Sequence, residues 1–313
     1  MIQNEWVQES LRCPCPRRNP LVSGQSGLEC AARCGAPAFP VVDGRPVLVD
    51  FATSILDRTA VEASAGASPI RRRSGRLRAA VFDLAFGRNR VAESNAKRFL
   101  SLLGPAPRVL IIGGGALGAG VEQLYAHPGI RTLTFDVYAS PLTDLIADGH
   151  SIPLADGSVD AVWIQAVLEH VVEPAQVVAE IHRVLVPDGV VYAETPFMQQ
   201  VHEAAYDFTR FTESGHRWLF RQFDEVAAGT VLGPGTALLW SIRYAAAGLF
   251  RSWQAGTLAA LLASPVRLID RLVPERFAID GASGCYFLGR RSETTLHPRD
   301  MVARYRGALG RSR

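Results

Sequence analysis

Side chains that could move a proton crowd into one short segment, directly after the strand predicted at 189–193. The segment contains His202, Tyr206, Asp207 and Arg210. Histidine titrates near neutral pH, and a neighbouring carboxylate can hold the imidazole in place. We therefore predict that His202, or His170 earlier in the chain, is a general base. Asp207 would orient that base, and Tyr206 and Arg210 would contact a substrate. A hydrogen-bonded structural role is the alternative for each histidine.

A glycine-rich turn follows an earlier apolar run. Gly113, Gly115 and Gly118 come after Val109–Ile112 and fit the pattern G-x-G-x-x-G. Glycine lets a ligand approach the backbone closely, and the start of the following helix would offer free N–H groups. Asp136 ends the next predicted strand, where it could accept hydrogen bonds from ribose hydroxyls. By itself the loop allows a nicotinamide or flavin oxidoreductase, and a purely structural turn is also open.

Three downstream blocks resemble the class I S-adenosylmethionine-dependent methyltransferases. Residues 147–162 resemble the family's aDa-x-x-LPF-x-x-x-sFD-x-V, residues 165–171 include its vLEHv, and residues 180–189 resemble its E-x-x-RVLkPGG. The blocks stand in the family's order and spacing, and the resemblance covers residues 106–195 best. It implies a Rossmann-like fold and methyl transfer from S-adenosylmethionine.

The resemblance also implies a role for each matching residue. The three glycines of the loop would line the methionine and ribose portion of the cofactor, and Asp136 would bind the ribose hydroxyls. Asp148 would accept a hydrogen bond from the adenine amino group, with the backbone of Gly149 at the adenine edge. Gln165 and His170 would lie near the methionine end and the acceptor.

Two positions depart from the family pattern. The family usually has an acidic residue where this chain has Ile111, and often a glycine where it has Leu117. A catalytically degenerate scaffold with the methyltransferase fold therefore stays open as an alternative. A dinucleotide oxidoreductase is the other alternative, based on the glycine loop and Asp136.

Four of the five cysteines crowd the N-terminus, as the pairs Cys13/Cys15 and Cys30/Cys34. Paired spacing without signs of secretion favours metal over disulfides. Together with a following segment that ends Pro46-Val-Leu-Val, the pairs resemble a small zinc-ribbon-like module that is fused to some methyltransferases. The resemblance implies that these four thiolates bind a structural zinc ion. The first pair is C-x-C where the family has C-x2-C, so a metal-free module is the alternative.

The pattern of apolar runs predicts the elements that must position these residues. The predicted fold is α/β, a Rossmann-like and mainly parallel sheet of seven strands with a small N-terminal Cys-rich β module and a helical insertion before the last strand. Strands are predicted at 109–112, 132–135, 159–164, 189–193, 223–232 and 284–290, and helices at 116–125 and 174–185. The predicted divisions are a module at 1–51, a linker with helices at 52–105, the methyltransferase domain at 106–291 with an insertion at 233–281, and a tail at 292–313.

The composition of the chain limits the classes of partner and substrate that we expect. The net charge is +3 and the one basic run, Arg71-Arg72-Arg73, has no interleaved aromatic residues, so nucleic acid is disfavoured. We expect a small-molecule or glycan acceptor that is methylated on oxygen. The chain begins without a signal-like apolar segment and has no run long enough to span a membrane, which predicts a cytoplasmic protein. The apolar, arginine-bearing segment 233–281 leaves open a homodimer surface or a peripheral membrane contact.

Overall fold

The computed structural model of this protein describes residues 5–24, 27–68 and 76–310, without the side chains of residues 76–79. The basic run Arg71–Arg73 lies outside the described residues. Within them the strands are β1 (Leu21–Ser23), β2 (Leu28–Cys30), β3 (Val41–Val42), β4 (Arg45–Leu48), β5 (Arg108–Ile112), β6 (Arg131–Asp136), β7 (Leu145–Ala147), β8 (Val159–Gln165), β9 (Leu185–Pro196), β10 (Phe223–Leu232) and β11 (Gly284–Arg291).

Helices connect most of these strands. The α-helices in the described residues are α1 (Glu5–Ser10), α2 (Arg58–Ala63), α3 (Arg76–Phe86), α4 (Arg90–Ser101), α5 (Val121–Tyr125), α6 (Pro174–Val184), α7 (Glu213–Leu219), α8 (Pro234–Leu249), α9 (Trp253–Ala263), α10 (Glu275–Gly281) and α11 (Pro298–Ala303). Pro174 at the start of α6 and Pro234 at the start of α8 occupy first-turn positions, where the missing N–H costs nothing.

The predicted mainly parallel sheet is confirmed. Strands β5 to β11 form its seven-stranded body, and β4 and β3 extend it to nine in the order β10-β11-β9-β8-β5-β6-β7-β4-β3. Strands β4 to β9 run parallel to one another, whereas β3 pairs antiparallel with β4, and β11 pairs antiparallel with both β9 and β10. The chain order reverses between β5 and β8. Strands β6 and β7 lie on one side of β5, and strands β8 and β9 lie on its other side. In open α/β sheets, ligands bind at the carboxyl ends of the strands next to such a reversal.

Each face of the sheet carries its own apolar core. One core joins the sheet to α1, α6 and α7 through side chains such as Trp6, Ile181 and Phe220. The other joins it to α4 and α5 through Phe99 and Leu124, and in this core the ring of Trp163 stacks on the ring of Tyr192. Both faces are therefore covered, as a parallel sheet requires.

The N-terminal module shares the main core and the main sheet with the rest of the described chain. Strand β4 pairs in parallel with β7, with Val47 opposite Ile146. Cys13 and Cys30 are buried in the same core as the central strands. Arg18 of the module also forms a salt bridge of 2.6 Å with the carboxylate of Glu180 on α6.

The helical insertion before the last strand is present as predicted. Helices α8, α9 and α10 lie between β10 and β11, and Trp240 of α8 stacks on Phe86 of α3 at 4.2 Å between ring centroids. In the part of the chain that the structure describes, no helix is both long enough and apolar enough to span a membrane.

Three local predictions differ from the structure. The helix expected at 116–125 begins only at Val121, because the glycine loop continues to Gly120, whose φ of +86° breaks the helical path. Residues 52–75 were expected to be a linker, but they include α2, which the Asp57 side chain caps. Strand β7 has only three residues, too few to give a clear apolar pattern in the sequence.

Candidate active site

The candidate site lies at the carboxyl ends of four adjacent strands. The glycine loop follows β5, Asp136 ends β6, Gln165 ends β8, and Glu194 lies near the end of β9. Because these strands are neighbours and parallel, their ends meet at one edge of the sheet. Two cavities open at this edge, and both are lined by Gly113, Ala166, His170 and Glu203.

The glycine loop has no room for larger side chains. Gly113 has a φ of +73°, and a Cβ atom there would lie 2.1 Å from Cγ2 of Val167. A Cβ atom on Gly115 would lie 2.7 Å from a carboxylate oxygen of Asp136, and one on Gly118 would lie 2.3 Å from the side-chain oxygen of Gln165. Each of the three glycines therefore stands where side chains of neighbouring segments come close to the backbone.

Asp136 joins the loop to the first cavity, which we call the Asp136 cavity. Its carboxylate accepts hydrogen bonds from the backbone N–H groups of Gly115 at 2.8 Å and Val137 at 2.7 Å. The cavity wall otherwise combines apolar and aromatic side chains, among them Ile55, Leu56, Val137, Tyr138, Val167 and Tyr206. Ile55 and Leu56 come from the segment after the N-terminal module, which the sequence did not connect with the site.

The second cavity, the glycine-loop cavity, has a volume of about 400 Å³ and a more polar wall. Gln165 donates to the carboxylate of Glu194 at 2.9 Å, and Asn89 donates to the same carboxylate at 2.9 Å. Tyr192 donates a further hydrogen bond to Glu194. Burial raises the pKa of Glu194, and these three donors stabilise its ionised form against that effect. Ile111 lines the same cavity, so Glu194 provides a carboxylate in a cavity where the family usually has one on β5.

His170 and His202 meet in the wall of the glycine-loop cavity. Their Nε2 atoms lie 3.1 Å apart. Nδ1 of His170 lies 2.7 Å from the carbonyl oxygen of Tyr206, which can only accept, so Nδ1 carries the proton and Nε2 of a neutral His170 has a lone pair. Burial lowers the pKa of both imidazoles and favours their neutral forms.

Asp207 contacts both the backbone and the ring of His202. Its carboxylate accepts from the His202 backbone N–H at 2.8 Å and lies 3.4 Å from Nδ1 of the same residue. Burial opposes ionisation of Asp207, but the guanidinium of Arg210 outweighs it and brings the pKa of Asp207 down to about 2. Asp207 is therefore a fixed negative charge beside His202, as an orienting residue must be.

Glu169 lies next to the two histidines, within the segment that resembles vLEHv, but the sequence predicted no role for it. It is fully buried, and within the described residues neither of its carboxylate oxygens has a hydrogen-bond partner. Oε1 lies 3.6 Å from Nε2 of His170 and 3.7 Å from Nε2 of His202. Burial raises the pKa of Glu169 to about 8. The signal in the sequence was its place next to His170, but only the structure shows where its side chain points.

The predicted residues Asp148, Gly149 and Arg210 are not in the lining of either cavity. The carboxylate of Asp148 is buried and engaged by the Ser54 hydroxyl and by His150. Gly149 packs against α6, where an added Cβ atom would lie 3.2 Å from Val177. Arg210 pairs with Asp207 and donates to the backbone carbonyl of Gln199, so it holds the loop together. Roles for these residues toward adenine or an acceptor stay predictions.

The four N-terminal cysteines converge as the spacing predicted. The sulfur atoms of Cys13, Cys15, Cys30 and Cys34 all lie within 4.8 Å of one another, and those of Cys13 and Cys34 are 3.7 Å apart. Four thiolates at about 2.3 Å from one zinc ion would be about 3.8 Å apart in a tetrahedron. The cluster therefore has the donors and the spacing for a tetrahedral zinc ion. Four protein ligands would leave no open coordination position for a water molecule or a substrate.

Comparison with known proteins adds a family match. Residues 122–193 match the model of a family described as a methyltransferase domain. A curated relative, an uncharacterized 37.1 kDa protein in transposon TN4556 of Streptomyces fradiae, is 50% identical over 44 residues. The aligned stretch covers 14% of this chain and 13% of that protein.

Solved structures with a similar chain path include three methyltransferases. Phosphoethanolamine N-methyltransferase 2 of Haemonchus contortus, in complex with S-adenosyl-L-methionine, is 15% identical, with 71% of this chain and 59% of that chain covered and a TM-score of 0.46. An S-adenosylmethionine-dependent methyltransferase from Archaeoglobus fulgidus is 12% identical, with 67% and 98% covered and a TM-score of 0.43. The 1,6-didemethyltoxoflavin-N1-methyltransferase of Burkholderia thailandensis is 16% identical, with 72% and 93% covered and a TM-score of 0.40.

The family match includes Asp136, Gln165, Glu169 and His170, and it ends within β9. It lies in the part of the doubly wound sheet that forms the two cavities. Of the cofactor classes that the glycine loop allows, the match selects S-adenosylmethionine over the dinucleotides. This chain carries a methyltransferase domain that includes residues 122–193.

Proposed function

We propose that this protein methylates a hydroxyl oxygen of a small-molecule, sugar or glycolipid acceptor. The observation that carries the proposal is the pair His170 and His202, whose Nε2 atoms meet at 3.1 Å in the wall of the glycine-loop cavity. A hydroxyl must lose its proton when its oxygen is methylated, whereas many nitrogen and sulfur acceptors need no dedicated base. An imidazole pair backed by Asp207 is suited to that task.

The two cavities support binding of S-adenosylmethionine. The cofactor is elongated, and the cavities adjoin each other at Gly113 and Ala166. Asp136 lines one cavity and can accept from hydroxyl groups, while Gln165 and Glu194 line the other and can meet an ammonium group. Gly113 and Gly118 line the glycine-loop cavity, so their backbone would border a ligand bound there.

The residues of this chain would handle the proton and the orientation of the acceptor. When bound, S-adenosylmethionine supplies a methyl carbon activated by a positive sulfur. Methylation of an acceptor oxygen would form one carbon–oxygen bond and break one carbon–sulfur bond, whose electron pair would stay on sulfur. The hydroxyl proton passes to an Nε2 atom of the histidine pair, and the ionised carboxylate of Asp207 beside His202 stabilises the imidazolium. Bringing the reactants together in one cleft supplies much of the acceleration.

The helical insertion supports an acceptor with a lipid or other apolar part. Helix α8 packs over the loop that carries His202, because Tyr244 donates to the carbonyl oxygen of Val201 and Gln200 donates to Ser241 at 3.1 Å. At the turn from α8 to α9, large apolar side chains face solvent: Leu249 is 77% exposed, and Phe250 is 66% exposed. An apolar surface next to the site could seat the lipid part of an acceptor or the surface of a membrane.

The test is a screen of acceptors with a radiolabelled methyl donor. Soluble sugars, phenolic and aliphatic alcohols, and glycolipids in vesicles are compared with amines of matched structure. We expect label in a hydroxyl acceptor. The variant His202→Ala should bind S-adenosylmethionine as the unchanged protein does, measured by calorimetry, but transfer methyl at least about a hundredfold more slowly, since general base catalysis contributes about 10²–10⁴-fold.

His127→Ala is the matched control, because His127 is exposed and lies away from both cavities. It should leave binding and turnover unchanged. Transfer to amines alone, or normal turnover by His202→Ala, would contradict the proposal. Failure of the unchanged protein to bind S-adenosylmethionine would favour the degenerate scaffold instead.

A further inference from the structure

The strongest unexplained feature outside the proposed chemistry is the carboxylate of Glu169. It is fully buried, and within the described residues neither oxygen accepts a hydrogen bond. Burying a carboxylate without partners is costly, and proteins tolerate it mainly where the group binds a cation or a proton. Oε1 is directed at the two imidazoles that line the glycine-loop cavity.

The three side chains have the spacing of metal ligands. The Nε2 atoms of His170 and His202 are 3.1 Å apart, and Oε1 of Glu169 lies 3.6 and 3.7 Å from them. If each atom were about 2.1 Å from one ion, these separations would correspond to angles of about 95° between the nitrogens and about 120° between the oxygen and each nitrogen. Such angles lie within the range of a site with two imidazoles and one carboxylate and with positions left open.

The surroundings orient the imidazoles as metal sites do. Metal-binding histidines usually donate their other N–H to a carbonyl or a carboxylate, which leaves the binding nitrogen with its lone pair. Nδ1 of His170 donates to the carbonyl oxygen of Tyr206 at 2.7 Å, and Nδ1 of His202 lies 3.4 Å from the carboxylate of Asp207. Arg210 also lies 3.5 Å from that Nδ1, but its nearer partner is Asp207 at 2.7 Å. The two Nε2 atoms themselves lie at hydrogen-bond distance, so one of them carries the proton that a bound ion would displace.

We infer that Glu169, His170 and His202 bind one divalent metal ion. Mixed imidazole and carboxylate ligands suit Mn²⁺, Fe²⁺, Co²⁺ or Zn²⁺. The site is separate from the four cysteines, and both histidines line the glycine-loop cavity, so the open positions of the ion face the acceptor. Binding of the ion does not depend on the proposed function.

The role of the ion does rest on the proposed function. An ion bound between the Nε2 atoms takes the place of the proton that the histidine pair would otherwise share. It would coordinate the acceptor hydroxyl and lower its pKa, so that the proton leaves to solvent. The bond formed to the methyl carbon and the bond broken to sulfur are unchanged.

The experiment measures metal binding to the full chain without any methyl acceptor. Mn²⁺ is titrated into the chelator-treated protein by calorimetry, because Mn²⁺ prefers oxygen and nitrogen ligands to thiolates. We expect one saturable site, weakened at least tenfold in Glu169→Gln. Glu173→Gln removes an exposed carboxylate four residues along the chain and should bind as the unchanged protein does. Cys30→Ser should also keep the site.

A second readout covers the case in which a variant folds poorly. Mn²⁺ should raise the melting temperature of the unchanged protein and of Glu173→Gln, but not that of Glu169→Gln. Absence of saturable binding, or equal binding by Glu169→Gln, overturns the inference. Methyl transfer that continues unchanged after the ion is removed overturns the role of the ion and leaves the proposed function standing. Metal binding without methyl transfer to any hydroxyl would overturn the proposed function and leave the metal site standing.

Discussion

His216 should make the stability of this protein fall as the pH is lowered below neutrality. The residue lies on α7, is 2% exposed, and its Nε2 atom has no hydrogen-bond partner among the described residues. Its ring meets the ring of Phe220 edge to face at 5.2 Å between centroids. Burial lowers the pKa of His216 from 6.5 to about 3, because an imidazolium there would lose its hydration without gaining a partner.

The sign and size of the effect follow from that difference. The unfolded chain takes up a proton on this histidine below about pH 6.5, whereas the folded chain does so only near pH 3. The stabilising contribution is therefore fully present above about pH 6.5 and is lost as the pH falls through the window down to about 3. Between about pH 7.5 and about pH 5.5, the loss of unfolding free energy is about 1.4 kcal/mol for this one group.

Urea unfolding followed by tryptophan fluorescence at the two pH values measures this loss. Other groups also titrate in the window, so the informative quantity is the difference between the unchanged protein and His216→Phe, which keeps an aromatic ring but cannot bind a proton. The variant should lose about 1.4 kcal/mol less on acidification. His127→Gln, at an exposed position, should behave as the unchanged protein does. Equal losses in the unchanged protein and His216→Phe would refute the reasoning.

Two further predictions concern the glycine loop and the cysteine cluster. Gly113→Ala should lower the unfolding free energy by about 2–5 kcal/mol, since a positive φ costs about 1–2 kcal/mol and overpacking against Val167 costs about 1–3 kcal/mol. Adding Val167→Ala should restore the packing part but not the backbone part, and urea unfolding of the single and double variants would show whether the two parts separate. Treatment with a thiol reagent should release one zinc ion per chain from the unchanged protein and none from Cys30→Ser, which should also melt at a lower temperature. Equal release from both proteins would count against the zinc site.

The sheet was largely predictable because its strands are apolar on both faces. Strands β5, β6, β8, β10 and β11 were placed within a residue or two, and the apolar runs of β5 and β8 are typical of buried parallel strands. Strand β9 was found but proved longer, Leu185–Pro196, because Pro187 and Gly189 disguise its first half in the sequence. Short elements such as α2 and β7 carry too few residues to show a period.

Features that depend on distant parts of the chain were not predictable. The pairing of Val47 with Ile146 joins residues that are far apart in the sequence, and no local pattern predicts it. The hydroxyl of Ser54 engages Asp148 across a similar separation, so the carboxylate assigned to adenine already has partners. For Glu169, the residue type was visible within its motif, but its burial without a partner appears only when the surrounding elements are assembled.

The pairing of β4 with β7 also sets limits on how the N-terminal part of this protein could be exchanged or lost. A chain that started after residue 51 would turn β7 into an outermost strand with unused backbone donors and acceptors beside apolar Leu145 and Ile146. Such borders recruit strands from other molecules and lead to aggregation. The cysteine-bearing segment therefore protects the edge of β7 through its strand β4. Any natural or engineered replacement of this segment would have to pair with or cover the same strand edge.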